Sequence, residues 1–116
     1  MKDKISLCIT GGSGFIGTAA MQWALDQEFE VINFDIRPPN VLAHQQHWKY
    51  VDIRDKQGLT SALIDFQPTH IWHLAAMTGM DIHDMSFFDA NTIGVQNLLE
   101  ATLHLPNLQR TLFWEG

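Results

Sequence analysis

A cluster of glycines stands directly behind a short β-prone run, and this junction constrains the fold more than any other part of the chain. Ile5-Ser6-Leu7-Cys8-Ile9-Thr10 runs straight into Gly11-Gly12-Ser13-Gly14. A strand stopped by glycine has to turn tightly. Beyond the turn, Ile16, Ala19 or Ala20, and Trp23 recur at three-to-four-residue spacing, which predicts a helix with one buried face over roughly residues 14 to 27. Gly11 permits the sharp turn off the strand, Gly14 lets a ligand approach the backbone with no Cβ in the way, and Gly17 lets the helix pack close to the sheet. The N–H groups of the first helical turn have no intrahelical acceptor, and the positive end of the helix dipole lies among them. Together these favour an anion by about 0.3 to 2 kcal/mol without any basic side chain. The expectation is a phosphate site.

The rest of the chain repeats the strand-then-helix alternation. Glu30 to Asp35 reads as a second strand, which Pro38-Pro39-Asn40 prevents from continuing. Residues 48–51 read as a third. Asp55 is placed to cap a helix carrying Leu59, Leu63 and Phe66 on one face up to Pro68. Thr69 to Ala76 is a fourth strand and Arg110 to Trp114 a fifth. Between them a helix over residues 85–104 carries Phe87, Phe88, Ile93, Val95, Leu98, Leu99 and Leu103, too broad a stripe for one narrow contact, so it is expected to bury two faces. Alternation of this kind requires a parallel sheet with crossover helices on both sides. The fold expected is α/β, a Rossmann-like doubly wound sheet of about five strands in order 3-2-1-4-5. Its ligand crevice opens where that order reverses, beyond the carboxyl ends of strands one and four.

Composition narrows the possible partners. The chain has 116 residues, 46% apolar and 17% charged, with a formal net charge of −6, which reads as one ordinary domain. Thirteen acidic residues against seven basic ones leave no stripe for nucleic acid or for an anionic membrane. The apolar run near the start is shorter than a signal-peptide core or a membrane span, so a cytoplasmic location is expected. The single cysteine, Cys8, excludes an internal disulfide and reads as an inert core thiol. His44 with His47, and His70 with His73, are each three apart. Residues three apart on a strand face opposite sides, and the first pair lacks a nearby third ligand, so no metal site is expected.

Asp35 stands eighteen residues after Gly17 at the end of the second strand, where a carboxylate can accept hydrogen bonds from both hydroxyls of an adenine ribose. This points to a dinucleotide, and to NAD over NADP. A 2′-phosphate about 4 Å from the carboxylate would be repelled by about 4 kcal/mol at an effective dielectric of 20. Arg37, beyond Ile36, could offset part of that. The other reading is that Asp35 only solvates a loop.

The motifs together resemble the extended short-chain dehydrogenases/reductases, in particular the NAD-dependent epimerase/dehydratase group that acts on nucleotide sugars. Thr10 to Gly17 is similar to the family's Thr-Gly-Gly-x-Gly-Phe-Ile-Gly, Asp52-Ile53-Arg54-Asp55 to its Asp-Ile-Arg-Asp segment, and His73-Leu74-Ala75-Ala76 to its fourth-strand signature. Asn91 through Ala101 resembles Asn-x-x-Gly-x-x-Asn-Leu-Leu-Glu-Ala. The resemblance implies cofactor contacts from Gly11, Gly12, Ser13, Gly14, Phe15, Ile16 and Gly17, and from Asp35, Ile36 and Arg37. It further implies that Asp52 bonds the adenine amino group, that Ile53 packs on the ring, and that Leu74, Ala75 and Ala76 border the ribose and pyrophosphate. Asn91 would reach the fourth-strand backbone near the nicotinamide ribose, with Met77 and Thr78 at the edge of the same region. Plainer roles stand beside these: Asp52 as a helix cap, Ala75 and Ala76 as small packing residues, Asn91 as a solvent-facing helix residue.

The sequence also departs from the family pattern. Family chemistry at the sugar uses a Ser or Thr after strand five and a Tyr-x-x-x-Lys, whereas the only tyrosine, Tyr50, is followed four residues later by Arg54. The chain ends at Leu112-Phe113-Trp114-Glu115-Gly116, before the family's catalytic and substrate-binding parts. The expectation is therefore a cofactor-binding front with no catalytic residue of its own, which binds NAD, does not turn over, and meets a nucleotide sugar only if the later part is supplied. A second copy is expected to pair through the 85–104 helix or the strand-five edge. The alternative from another class is a non-catalytic dinucleotide sensor or interaction module.

Overall fold

A computed structural model of the chain describes residues 4–75 and 93–114. Among the described residues five strands, β1 (Ser6–Thr10), β2 (Glu30–Asp35), β3 (Trp48–Tyr50), β4 (His70–His73) and β5 (Arg110–Phe113), alternate with three helices, α1 (Phe15–Asp26), α2 (Lys56–Phe66) and α3 (Gly94–Thr102). A 3-10 turn, Leu42–His47, leads into β3. The sheet is parallel throughout and ordered β3-β2-β1-β4-β5, as the alternation predicts.

β1 holds the centre because every one of its five residues is buried. Its side chains divide by the two-residue period. Cys8 joins Phe34, Leu59, Leu63, Ile71 and Leu98 in the core beneath α2 and α3, while Leu7 and Ile9 join Met21, Ala24 and Val31 beneath α1. Helices on both faces cover the sheet. Register aligns Thr10 with Phe34 on one side and His73 on the other, so three carboxyl ends finish at one level.

Local chemistry sets the helix limits. The Asp55 carboxylate accepts from the Gly58 N–H at 3.2 Å and caps α2, and the chain leaves that helix through Gln67 at φ 54° ahead of Pro68. α1 ends without a glycine: Glu28 takes φ 62° while the Phe29 N–H returns to the Ala24 carbonyl at 3.1 Å. This is the 6→1 bond that closes many helix ends.

Two details differ from the sequence expectation. Trp23 does not belong to the buried face of α1, which is Gly17, Met21 and Ala24; it is half exposed and stacks on Trp72 with ring centroids 5.6 Å apart. β4 ends at His73, short of the expected Ala76: the Leu74 N–H closes the ladder on the Thr10 carbonyl at 2.9 Å and is shared with the Thr10 hydroxyl at 3.1 Å, and the Ala75 N–H leaves the ladder for that hydroxyl at 3.3 Å. α3, where it is described, buries Asn97, Leu98 and Ala101 against the chain itself, while Leu99 and the adjoining Leu103 are exposed in the single chain, the side on which a second contact was expected. Residues 85–92 of the expected helix lie outside the described residues. No helix among the described residues is long and apolar enough to cross a membrane.

The Thr10 hydroxyl, accepting two amides, has its own hydrogen left for His73 Nδ1 at 2.7 Å. The ring is therefore the neutral Nε2–H tautomer, and burial pushes its pKa from 6.5 down to about 4. An imidazole that protonates more readily in the unfolded chain gives stability that is intact above pH 6.5 and is lost as pH falls from 6.5 towards 4. The lost stability is about 3 kcal/mol at 1.36 kcal/mol per unit. Urea melts at a series of pH values should show this loss in the natural chain and its removal in His73→Phe. The same pH slope in both chains would mean that His73 is not held neutral by the fold.

Candidate functional site

The turn between β1 and α1 is built by close backbone approaches. Gly11 continues the sheet by donating to the Phe34 carbonyl at 2.8 Å, then takes φ +79°, a region that side chains rarely enter. A Cβ there would lie 2.6 Å from the Ala75 Cα. At Gly17 a Cβ would collide with the Gly11 carbonyl oxygen and the Gly12 Cα, so this glycine lets α1 sit against the turn itself and not against the strands, as its spacing had suggested.

α1 consequently starts without a cap. Its first residue is preceded by Gly14, which has no side chain to bond the helix, and the first turn contains no acidic residue. The first intrahelical bond here runs from the Thr18 N–H to the Gly14 carbonyl at 2.8 Å. The amides of Phe15 and Ile16 precede it, and both residues line the cleft, where an anion would complete them. Gly14 is extended at φ −79°, ψ −177°, a conformation open to any residue, so its value lies in the room left beside those amides.

The cleft has a volume of about 1250 Å³ and runs from this turn across the carboxyl ends of β1 and β2 to the segment after β3. Gly11, Ser13, Gly14, Phe15 and Ile16 form one wall. Asp35, Ile36 and Arg37 stand beside them, and Asp52, Ile53 and Ala75 complete the rim. Gly12, Gly17 and Leu74 are buried behind these walls; Leu74 packs into the core beneath α1. Ala76 and Asn91, with Met77 and Thr78, lie outside the described residues.

Asp35 is the best-defined group in the cleft. Oδ2 accepts from the Ser13 N–H at 3.0 Å and Oδ1 from the Arg37 N–H at 3.0 Å. A carboxylate offers about four lone-pair sites, so two remain while the two amides fix its rotamer. Asp52 is held differently: Arg54 grips Oδ1 through Nε at 3.1 Å and Oδ2 through Nη2 at 2.9 Å, and its N–H adds a bond to Oδ1 at 2.9 Å. The Arg54 side chain holds this carboxyl below its ordinary range, against the opposing pull of partial burial. The helix cap is Asp55, not Asp52. Ile53 is buried in the core beneath α2 and α3, against Gly94, and shows only part of itself to the cleft.

Sequence reading missed Asn33 and gave His44 no role. Asn33 is fully buried and bonds both Gly12 and Ser13; its signal was a polar residue inside an apolar strand. His44, considered only as half of a metal pair, is fully buried on the cleft wall with Nε2 2.9 Å from Gln22 Oε1. Burial, then the charge of His47, pushes its pKa down. His70 and His73 bond different hydroxyls, those of Thr69 and Thr10. Burial pushes the Cys8 thiol far up, which keeps it protonated and unreactive.

Comparison with known proteins agrees with this geometry. The model of the NAD dependent epimerase/dehydratase family matches residues 7–114. CDP-paratose 2-epimerase of Salmonella typhi is 34% identical over 109 residues, covering 84% of this chain and 32% of that protein. Among solved structures, UDP-glucose 4-epimerase of Thermus thermophilus in complex with NAD matches with a TM-score of 0.75 and 32% identity, covering 87% of this chain and 34% of that one. The Bordetella bronchiseptica enzyme WbmG in complex with NAD and UDP matches with a TM-score of 0.77 and 25% identity, covering 96% and 37%. The chain thus spans about a third of the length of these relatives.

Gly17→Ala tests the packing that exposes the amides. The added methyl meets backbone, which cannot swing aside, so the variant should lose about 1–3 kcal/mol of stability in denaturant melts. A variant as stable as the natural chain would show that α1 does not rest on the turn.

Proposed function

The chain belongs to the NAD-dependent epimerase/dehydratase family, and on that premise we propose that residues 1–116 are the NAD-binding Rossmann-fold part of an oxidoreductase that acts on a nucleotide sugar. The observation that carries this is the Asp35 carboxylate, fixed by two amides within the same cleft as an uncapped helix start. One end suits a pyrophosphate and the other a ribose with both hydroxyls free. NAD, when bound, supplies an acceptor and donor of hydride at the sugar. The residues of this chain bind and orient it.

In this reading the Phe15 and Ile16 amides receive the diphosphate, Gly17 lets the helix approach, and Gly11, Gly12, Ser13 and Gly14 shape the turn that presents those amides. The free lone pairs of Asp35 receive the adenine ribose, and Ile36 and Arg37 flank it. Asp52 and the exposed part of Ile53 meet the adenine, with Asp52 Oδ2 the less occupied of its two oxygens. Ala75 borders the ribose and pyrophosphate, Leu74 contributes through its backbone, and Ala76 and Asn91 are assigned by the family motif alone. Solved relatives complexed with NAD, and in one case with UDP, support both the cofactor and the nucleotide-sugar class. The family's Tyr-x-x-x-Lys does not occur within these 116 residues, so binding is the activity to measure on this chain.

Calorimetric titration should show saturable NAD binding and weaker NADP binding. Asp35→Ala should weaken NAD by about 10- to 100-fold, the loss of hydrogen bonds to a charged acceptor, with little effect on NADP. Folded protein that binds no NAD, or prefers NADP, would overturn the proposal. We further propose self-association through α3 and the neighbouring α2, because Leu99, Leu103 and Ile64 present exposed apolar surface there. Sedimentation should find a dimer that Leu103→Glu dissociates, and a monomer at all concentrations would exclude it.

A further inference from the structure

We propose that Asn33 is a positioning residue that sets both the NAD affinity and the NAD-over-NADP preference of the cleft, by tying the glycine turn to the carboxylate of Asp35. The inference deepens the reading of the cleft as an NAD site and rests on it.

Val31, Asn33 and Asp35 share the α1 face of β2 by the two-residue period. Val31 lies in the core and Asp35 at the cleft. Asn33, between them, is fully buried, in a place where valine or isoleucine would suit an apolar strand. A buried amide without partners is costly, and Asn33 spends both ends on the turn. Oδ1 accepts from the Gly12 N–H at 2.8 Å, and Nδ2 donates to Ser13 Oγ at 2.9 Å. Ser13 Oγ donates onward to the Arg37 carbonyl at 2.8 Å, while the Ser13 and Arg37 N–H groups hold the two oxygens of Asp35. Every donor has one direction, so the amide can face only one way: the Gly12 N–H demands the oxygen, and a hydroxyl already donating to a carbonyl demands the nitrogen.

The ring of bonds therefore passes from the turn through Asn33 and Ser13 to the carboxylate. Gly12 belongs to it sterically, since a Cβ there would meet the Asn33 amide at 2.5 Å. Gly12 is a glycine to admit Asn33. Removing the amide leaves the Gly12 N–H without its partner and releases Ser13, one of the two residues that fix Asp35. A carboxylate free to rotate loses its fit to the ribose hydroxyls and can also swing away from a 2′-phosphate. NAD affinity should fall while NADP affinity changes less.

The test is calorimetric titration of the 116-residue chain, its Asn33→Ala variant and its Ser13→Ala variant with NAD and with NADP, alongside hydrogen exchange of the Gly12 and Ser13 amides. Both variants should bind NAD about tenfold more weakly, with the ratio of NADP to NAD dissociation constants reduced several-fold and faster exchange at both amides. General loosening would lower affinity with the ratio unchanged, and that result overturns the proposal. So does NAD binding by both variants equal to that of the natural chain. Should Asn33→Ala not fold, Ser13→Ala, which removes one oxygen atom, decides. No NAD binding by the natural chain would instead remove the reading on which the inference rests.

Discussion

The structure depends on the contact of α1 with the turn that precedes it. With hydrogen alone at Gly17, the helix begins directly against the Gly11 carbonyl and the Gly12 Cα. That proximity brings the first-turn amides to the carboxyl end of β1, and the missing side chain at Gly14 leaves them uncapped. A side chain at Gly17 would push the helix off the turn. The cost of an uncapped helix start is about 1 kcal/mol, a cost that a bound anion offsets through the same groups.

An anion bound as proposed at the start of α1 would lie near a carboxylate, and the fold answers that electrostatic problem with backbone. Asp35 would repel a diphosphate, and no basic side chain lies in the first turn of α1. The two amides on Asp35 neutralise part of its field and fix its carboxylate at the end of β2. Asp52 is treated in a stronger way, with a guanidinium placed across both oxygens. The two carboxylates consequently differ in what they offer a ligand: Asp35 keeps two lone-pair sites while Asp52 is mostly occupied.

Thr10 and His73 do the corresponding work between β1 and β4. One hydroxyl accepts the Leu74 and Ala75 amides and donates to the buried imidazole. This ends β4 at the level where Gly11 needs to pass close to Ala75. The floor of the cleft is thus set by hydrogen bonds between residues more than sixty positions apart in the chain.

Local pattern alone determined the elements and their order. The stop at Gly11, the cap at Asp55, the breaks at Pro38 and Pro68 and the alternation of strand with helix are short-range effects, each readable within a few residues. Parallel pairing and the order β3-β2-β1-β4-β5 followed, because crossovers have one favoured hand. The roles of individual polar residues were decided only by the tertiary structure. Asn33 reads as an anomaly in a strand until Gly12 and Ser13 are brought beside it, and His44 has no readable role until Gln22 meets it. Trp23 follows the helical period, yet Trp72 and the rim of the sheet place it at the surface. Secondary structure is encoded by neighbours along the chain, whereas a buried hydrogen bond needs a partner that only folding supplies.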